Sequence, residues 1–290
     1  MADLISTTYA QQVVPALANT NPATLTVLIS AASRTVQRYC RRNFVPNRYI
    51  ERYDATELPY LMLRQTPVLG LNSVTLFPDG SNPTIFTPDQ FALRPEVGRI
   101  SIKPEVVATF SAFPWPGYGG FGTTWGAAGF WCGPLNAIQV NYNAGYGFLT
   151  QSPSAIPAGA TTVTPTLMSR QSIDPDWGNW AVVAGANLLV DAGTSAAETV
   201  TVISTTATNF SATFANTHSA DCQLIGSLIP DDIQLACALI AGNLVNQPDL
   251  TKQRESLGKT VGYEYVIRPG DLLFTPEILA ILNRYRDSLV

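Results

Sequence analysis

The chain has 290 residues, 46% of them hydrophobic and 13% charged, with a formal net charge of −4. That balance belongs to a folded protein and excludes both a disordered tail and a basic nucleic-acid grip, while 21 Gly, 21 Pro and 10% aromatics point to many turns and to surface covered by other protein. Residues 1–20 lack a basic n-region and an apolar stretch of signal length, and the longest apolar run, 235–241, is too short to cross a bilayer, so neither export nor membrane insertion is expected.

Residues 8–18 are predicted as a short helix interrupted at Pro15, and Asn19-Thr20-Asn21-Pro22 reads as a connecting turn. Next, Leu25, Leu28, Ile29, Ala32, Val36, Tyr39 and Cys40 recur at three- and four-residue steps, which predicts an amphipathic helix over 25–41. Arg38, Arg41 and Arg42 crowd its end, where positive charge meets the negative pole of the helix dipole, and Pro46 forbids continuation. The period then changes to two. Strands are predicted over 49–53, 58–63, 71–77, 84–86, 91–93, 99–103 and 137–142, making an antiparallel β region across 49–148.

Within that region a glycine-rich loop carries Trp115, Tyr118, Phe121, Trp125, Phe130 and Trp131. These rings can form a self-packed lid or anchors for a neighbouring subunit or the tail side; docking is the expectation, because rings on a glycine-rich loop have few rigid neighbours of their own. Base stacking would need cations beside them, and no Lys or Arg occurs between Pro104 and Gln151.

Residues 157–228 change texture to Thr, Ala and Gly, with about six short strands over 161–164, 180–183, 187–190, 198–203, 210–214 and 223–225, which predicts an inserted small β-barrel or sandwich domain. It holds Asp174, Asp176, Asp191, Glu198 and Asp221 against Arg170 alone, so all of the net charge resides in it. Helix returns over 230–246, with Pro230 at its start, Asp231 and Asp232 at its positive end and Ile233, Cys237, Ile240 and Leu244 in one stripe. After a polar stretch at 251–259 and a short strand at 263–267, a last helix over 276–288 starts on the cap Thr275 and Pro276, with Ile278, Leu282, Tyr285 and Leu289 on one face. The predicted class is α+β. A small helical bundle with an antiparallel β region occupies 1–156 and 229–290, and 157–228 is inserted.

Chemistry is thinly provided. His218, the only histidine, stands four residues before Cys222, but its Asn-Thr-His-Ser-Ala-Asp setting is turn composition, so it reads as a surface turn residue. Asp174 and Asp176 lack the spacing of a calcium loop, the glycines at 117, 119, 120 and 122 are not followed by Gly-Lys-Ser/Thr, and Cys40, Cys132, Cys222 and Cys237 show no CxxC. No catalytic residue, metal or cofactor is expected.

In their order these segments resemble the head-to-tail adaptor (connector) proteins of long-tailed bacteriophages and related gene-transfer particles. The resemblance rests on Leu28-Ile29-Ser30-Ala31-Ala32 through Tyr39-Cys40-Arg41-Arg42-Asn43-Phe44, on Glu51-Arg52-Tyr53-Asp54, and on Leu61-Met62-Leu63-Arg64-Gln65-Thr66-Pro67-Val68 with Ser73-Val74. Val140-Asn141-Tyr142-Asn143-Ala144-Gly145-Tyr146, Tyr265 and the run from Leu279 to Arg286 extend it. The module at 157–228 departs from it, standing where compact adaptors pass from Ala-Gly-Tyr through a proline turn into the helix.

The resemblance implies a non-enzymatic virion protein at the neck, made in the host cytoplasm. It would form a homo-oligomeric, twelvefold ring under the portal protein, above a stopper or tail-terminator protein, and genomic DNA would pass through without sequence-specific binding. It also implies that the C-terminal segment contacts the portal, with Leu282, Tyr285, Arg286, Leu289 and Val290 as the contact residues. A different class competes with it: a virion decoration or receptor-binding component acting through 157–228.

Overall fold

The computed structural model describes residues 3–54, 58–76, 83–103, 136–170, 179–245 and 274–286. The chain divides into two compact units, Met1–Val45 with Ile229–Val290, and Pro46–Leu228. The class is α+β, as expected.

In the first unit, helix α1 (Thr7–Val13) starts on Ser6, whose hydroxyl accepts the Tyr9 N–H, and a 3-10 turn (Pro15–Leu17) follows where Pro15 breaks the helix. Helix α2 runs Pro22–Cys40. It begins earlier than expected because the residues read as a turn are its cap: the Asn21 side chain accepts the Ala23 N–H at 2.9 Å, and Pro22 takes the first helical position. It ends on Arg41 in the left-handed region, φ +56°, a position glycine fills more readily.

The chain returns in helix α3 (Asp231–Val245) and helix α4 (Pro276–Tyr285), the latter capped by Thr275 as expected and ending before 288. Helix α3 is the centre of this unit and packs against α1, α2 and α4. Its buried residues, Ile233, Ala236, Cys237, Ala238, Ile240, Ala241 and Gly242, cover most of its circumference, the pattern of an enclosed helix. Small residues let neighbours close in: a Cβ on Gly242 would stand 2.7 Å from the Val14 side chain.

The second unit holds every described strand. Strands β1 (Asn47–Tyr53), β2 (Leu61–Met62), β3 (Val68–Leu76), β4 (Thr84–Phe86), β5 (Phe91–Arg94), β6 (Arg99–Ile102) and β7 (Ile138–Ala144) form two antiparallel sheets, in orders β1-β7-β3-β4 and β2-β6-β5. Alternation along β1 and β7 puts Tyr49, Glu51, Tyr53, Ile138, Val140 and Tyr142 on one face, and Tyr53, Ile138, Val140 and Tyr142 share a core with Leu61, Phe86, Phe91 and Ile100.

After β7 the chain bends at Gly145, φ +128°, and Tyr146 into β8 (Gly147–Ser152). Strands β9 (Gly159–Val163), β10 (Ser169–Arg170), β11 (Trp180–Ala181), β12 (Asn187–Val190), β13 (Glu198–Thr205), β14 (Phe210–Phe214) and β15 (Cys222–Ser227) complete the unit. Within this unit, strands from 147–227 form a six-stranded antiparallel sheet, β8-β15-β12-β13-β14-β9, with the β10-β11 ribbon beside it. Trp180 lies in a strand as expected, paired in the ribbon with β10, and β8 enters the six-stranded sheet from outside 157–228. Trp180 of the ribbon and the flanking Met168 and Val182 pack with a core of Leu188, Val190, Val200, Phe210 and Phe214, and Trp180 stacks on Phe148 at 4.4 Å.

Chain entry to and exit from this unit lie side by side. Leu228 N–H donates to the Tyr146 carbonyl at 2.9 Å, and a Cβ on Gly147 would meet both Pro46, at 2.6 Å, and the Gly226 carbonyl, at 2.1 Å. Gly226 itself faces the Phe148 ring, where an added Cβ would fall 2.1 Å from a ring carbon. Because Phe148 is held between the sheet and Trp180, a Gly226→Ala variant should lose about 1–3 kcal/mol of stability, as overpacked cores do. Urea unfolding followed by circular dichroism measures this, and an unchanged midpoint would show that the ring moves aside freely.

Candidate functional site

Three clusters of polar side chains are buried, and one end of the helical unit gathers charge. The expected site residues fall unevenly among them. Leu282 is buried within the helical unit, so it serves the chain's own fold and is closed to a partner. Tyr285 donates its hydroxyl to Asp232 at 2.8 Å and meets the Phe44 ring edge-on at 5.8 Å. Arg286 is exposed and lies over the Tyr39 ring at 5.4 Å. Leu289 and Val290, the six loop rings Trp115, Tyr118, Phe121, Trp125, Phe130 and Trp131, and Asp174 and Asp176 lie outside the described residues.

His218 does not lie on a surface turn. It is 3% exposed, its backbone bridges to Ile156, and its ring sits between Asp191 and Glu198, with Nδ1 and Nε2 each 2.8 Å from a carboxylate oxygen. The polar run around it does mark a chain reversal, but composition gives no sign of where the ring points, and its partners stand 27 and 20 residues upstream. Glu198 also accepts the N–H groups of Ala215 and Asn216, at 2.8 and 2.9 Å, and Phe214 meets the imidazole edge-on. A ring bearing hydrogen on both nitrogens satisfies both carboxylates at once. With both nitrogens engaged and the side chain fully enclosed, His218 pins three loops and offers no nitrogen to a substrate.

Burial works to raise the Glu198 carboxyl, but the Ala215 and Asn216 N–H groups and His218 outweigh it and hold the group below its ordinary value of 4.5.

A second cluster joins two sheets. Glu51 accepts the hydroxyls of Tyr53 and Tyr142, and the two phenol oxygens accept the backbone N–H groups of Arg64 and Gln65 at 3.0 and 3.1 Å. Burial, then the hydrogen bond to Glu51, pushes both phenols above their ordinary range, so they remain neutral donors.

The third cluster consists of amides. Gln223 donates to Asn72 at 2.7 Å and accepts from Asn143 at 2.8 Å, while Asn72 donates to Asn141 at 3.2 Å. Arg48 extends the row, giving Nε to Asn141 at 2.8 Å and Nη1 to the Ala192 carbonyl at 2.9 Å. Gly193, φ +78°, is required beside it, since a Cβ would stand 2.6 Å from Arg48 Cδ. These partners, up to 151 residues apart, have no local sequence signal.

The thiols of Cys40, Cys222 and Cys237 are buried and unpaired, and burial pushes each up to about 11, which leaves them poor nucleophiles. Cys222 and His218 form no thiol–imidazole pair, the ring being taken by Asp191 and Glu198. Among the described residues no three His, Cys, Asp or Glu side chains are grouped to hold a metal ion. What the arrangement offers is fixed surface, held by buried polar contacts.

His218→Ala should strip Asp191 of its imidazole partner, leave Glu198 only the Ala215 and Asn216 N–H groups, and cost about 2–4 kcal/mol, read by chemical denaturation near neutral pH. Because the Glu198 carboxyl is depressed in the folded state, its contribution is present above 4.5 and drains away as pH falls below that value. A Glu198→Gln variant, which cannot titrate, should therefore show a shallower loss of stability between about pH 5 and pH 3; an identical acid profile would remove the carboxylate from this role.

No known protein-family model matches the chain, and no curated protein matches it.

Proposed function

We propose that this chain is a head-to-tail adaptor of a long-tailed bacteriophage or gene-transfer particle: a structural protein that forms a ring beneath the portal protein, extends the DNA channel and receives the stopper or tail-terminator protein. The observation that carries the reading is the make-up of the helical unit. It is assembled from both ends of the chain, with α1 and α2 before the β unit and α3 and α4 after it. That is the order implied by the resemblance in Leu28–Phe44, Glu51–Asp54, Leu61–Val68 and Leu279–Arg286.

Two features support a role in assembly over the decoration reading. The 157–228 segment is no loosely tethered appendage: its six-stranded sheet includes β8, and Gln223 and Ala192 are bonded to Asn72, Asn143 and Arg48 of the first sheet. The buried clusters tie strands and loops to one another and hold the surfaces between them rigid.

The C-terminal contact narrows. Ile278 and Leu282 are buried in the helical unit, so deleting the whole last helix would remove part of a core and confuse misfolding with lost binding. Removing only residues 287–290, which include Leu289 and Val290, is the cleaner test. Mixed with portal rings, the full chain should co-sediment and give closed rings by electron microscopy. The truncated chain should melt at the same temperature yet lose about tenfold or more in portal affinity, the scale of one buried anchor. Undiminished binding would move the contact elsewhere, and binding to capsid or cells in place of the portal would favour the decoration protein.

A further inference from the structure

We infer that one end of the helical unit is a docking surface for a carboxylate-rich segment of another protein, built by arginines from α2 and α4. Helix dipoles account for Arg38, Arg41 and Arg42 on sequence grounds. The structure adds Arg284 and Arg286 to the same place. The Tyr39 hydroxyl donates to Asn283 at 2.8 Å, Arg286 lies over the Tyr39 ring, and the Cys40 thiol donates to the Leu282 carbonyl at 3.6 Å, so the last turns of α2 and α4 touch. Arg42 and Arg286 both act electrostatically on the Cys40 thiol. Two chain segments more than 240 residues apart thus bring five arginines to adjoining helix ends, of which Arg38, Arg41, Arg284 and Arg286 are exposed. Among the described residues these four make no ion pair.

The four exposed like charges repel one another, and two helix ends need fewer. An arrangement of this kind is relieved by an acidic partner, and arginine forks suit carboxylates in pairs.

A protein segment fits better than a nucleic acid. Phosphate backbones are gripped along an uninterrupted basic stripe, and here the patch is bordered by carboxylates at the start of α3: Asp231 is exposed, and Asp232 is bonded to Tyr285, which lies between Arg284 and Arg286. A short acidic segment can meet the arginines and avoid that border. The inference stands on this surface alone and does not require the ring.

The probe is a fluorescently labelled synthetic peptide of alternating glutamate and serine, titrated with the full chain and followed by anisotropy, with a labelled DNA duplex of equal charge in parallel. Saturable peptide binding that weakens as salt rises from about 20 to 300 mM is expected, since exposed charge pairs are screened over that range. Arg41→Glu with Arg284→Glu should reduce it by at least about tenfold. Should that pair disturb folding, Arg41→Gly with Arg284→Gln removes the same charges, and glycine suits the left-handed backbone at position 41. Peptide binding unaffected by a folded double variant, no peptide binding at low salt, or duplex binding tighter than peptide binding through the same arginines would each overturn the proposal.

Discussion

Burying amide groups between two sheets sets the alignment on which the β unit depends. Asn143 is fully buried, and its side chain meets Gln223 only while β7 keeps its register with β1 and β3. A slip of one residue would carry Asn143 into the apolar core and push Tyr142 out of it, stranding two sets of polar groups at once. The same register holds Tyr142 against Glu51 and Asn141 against Arg48. Apolar contacts supply most of the driving force for such a unit, but they tolerate sliding; directional bonds with unlike partners do not.

The helical unit solves a different problem. Its central helix is nearly free of polar side chains beyond the first turn, and its neighbours approach through alanine and glycine. Contacts between smooth helices of this kind leave rotation weakly determined, and the Tyr285–Asp232, Tyr39–Asn283 and Ser33–Cys237 contacts supply the missing definition. Asp232 therefore serves twice, at the positive end of α3 and as acceptor for α4.

Elements with strong local periodicity are legible in the sequence. The stripe from Leu25 to Cys40, the Thr275-Pro276 start and the strands Asn187–Val190 and Phe210–Phe214 are set by neighbours a few residues away, and expectation and structure agree within about three residues at both ends of each. Asn21 misleads because Asn-Pro serves equally as a turn and as a helix start, and only the downstream residues distinguish the two. Gly147–Ser152 is hard to read as a strand because its partner, β15, lies over 70 residues downstream. His218 misleads for the same reason: a polar reversal leaves the ring's direction to Asp191 and Glu198. The arginine surface lies half in view, since Arg38, Arg41 and Arg42 are close in sequence, while Arg284 and Arg286 join them only through packing of α4 on α2.

The neighbouring entry and exit at Pro46 and Leu228 have an evolutionary consequence. A unit whose two ends meet beside Tyr146 and Gly147 can be gained, lost or traded between genomes as a cassette, because the helices on either side need only a short gap bridged. Lineages sharing the helical unit can then diverge completely in what they carry between its halves, and kinship among them would survive in two short terminal stretches of sequence.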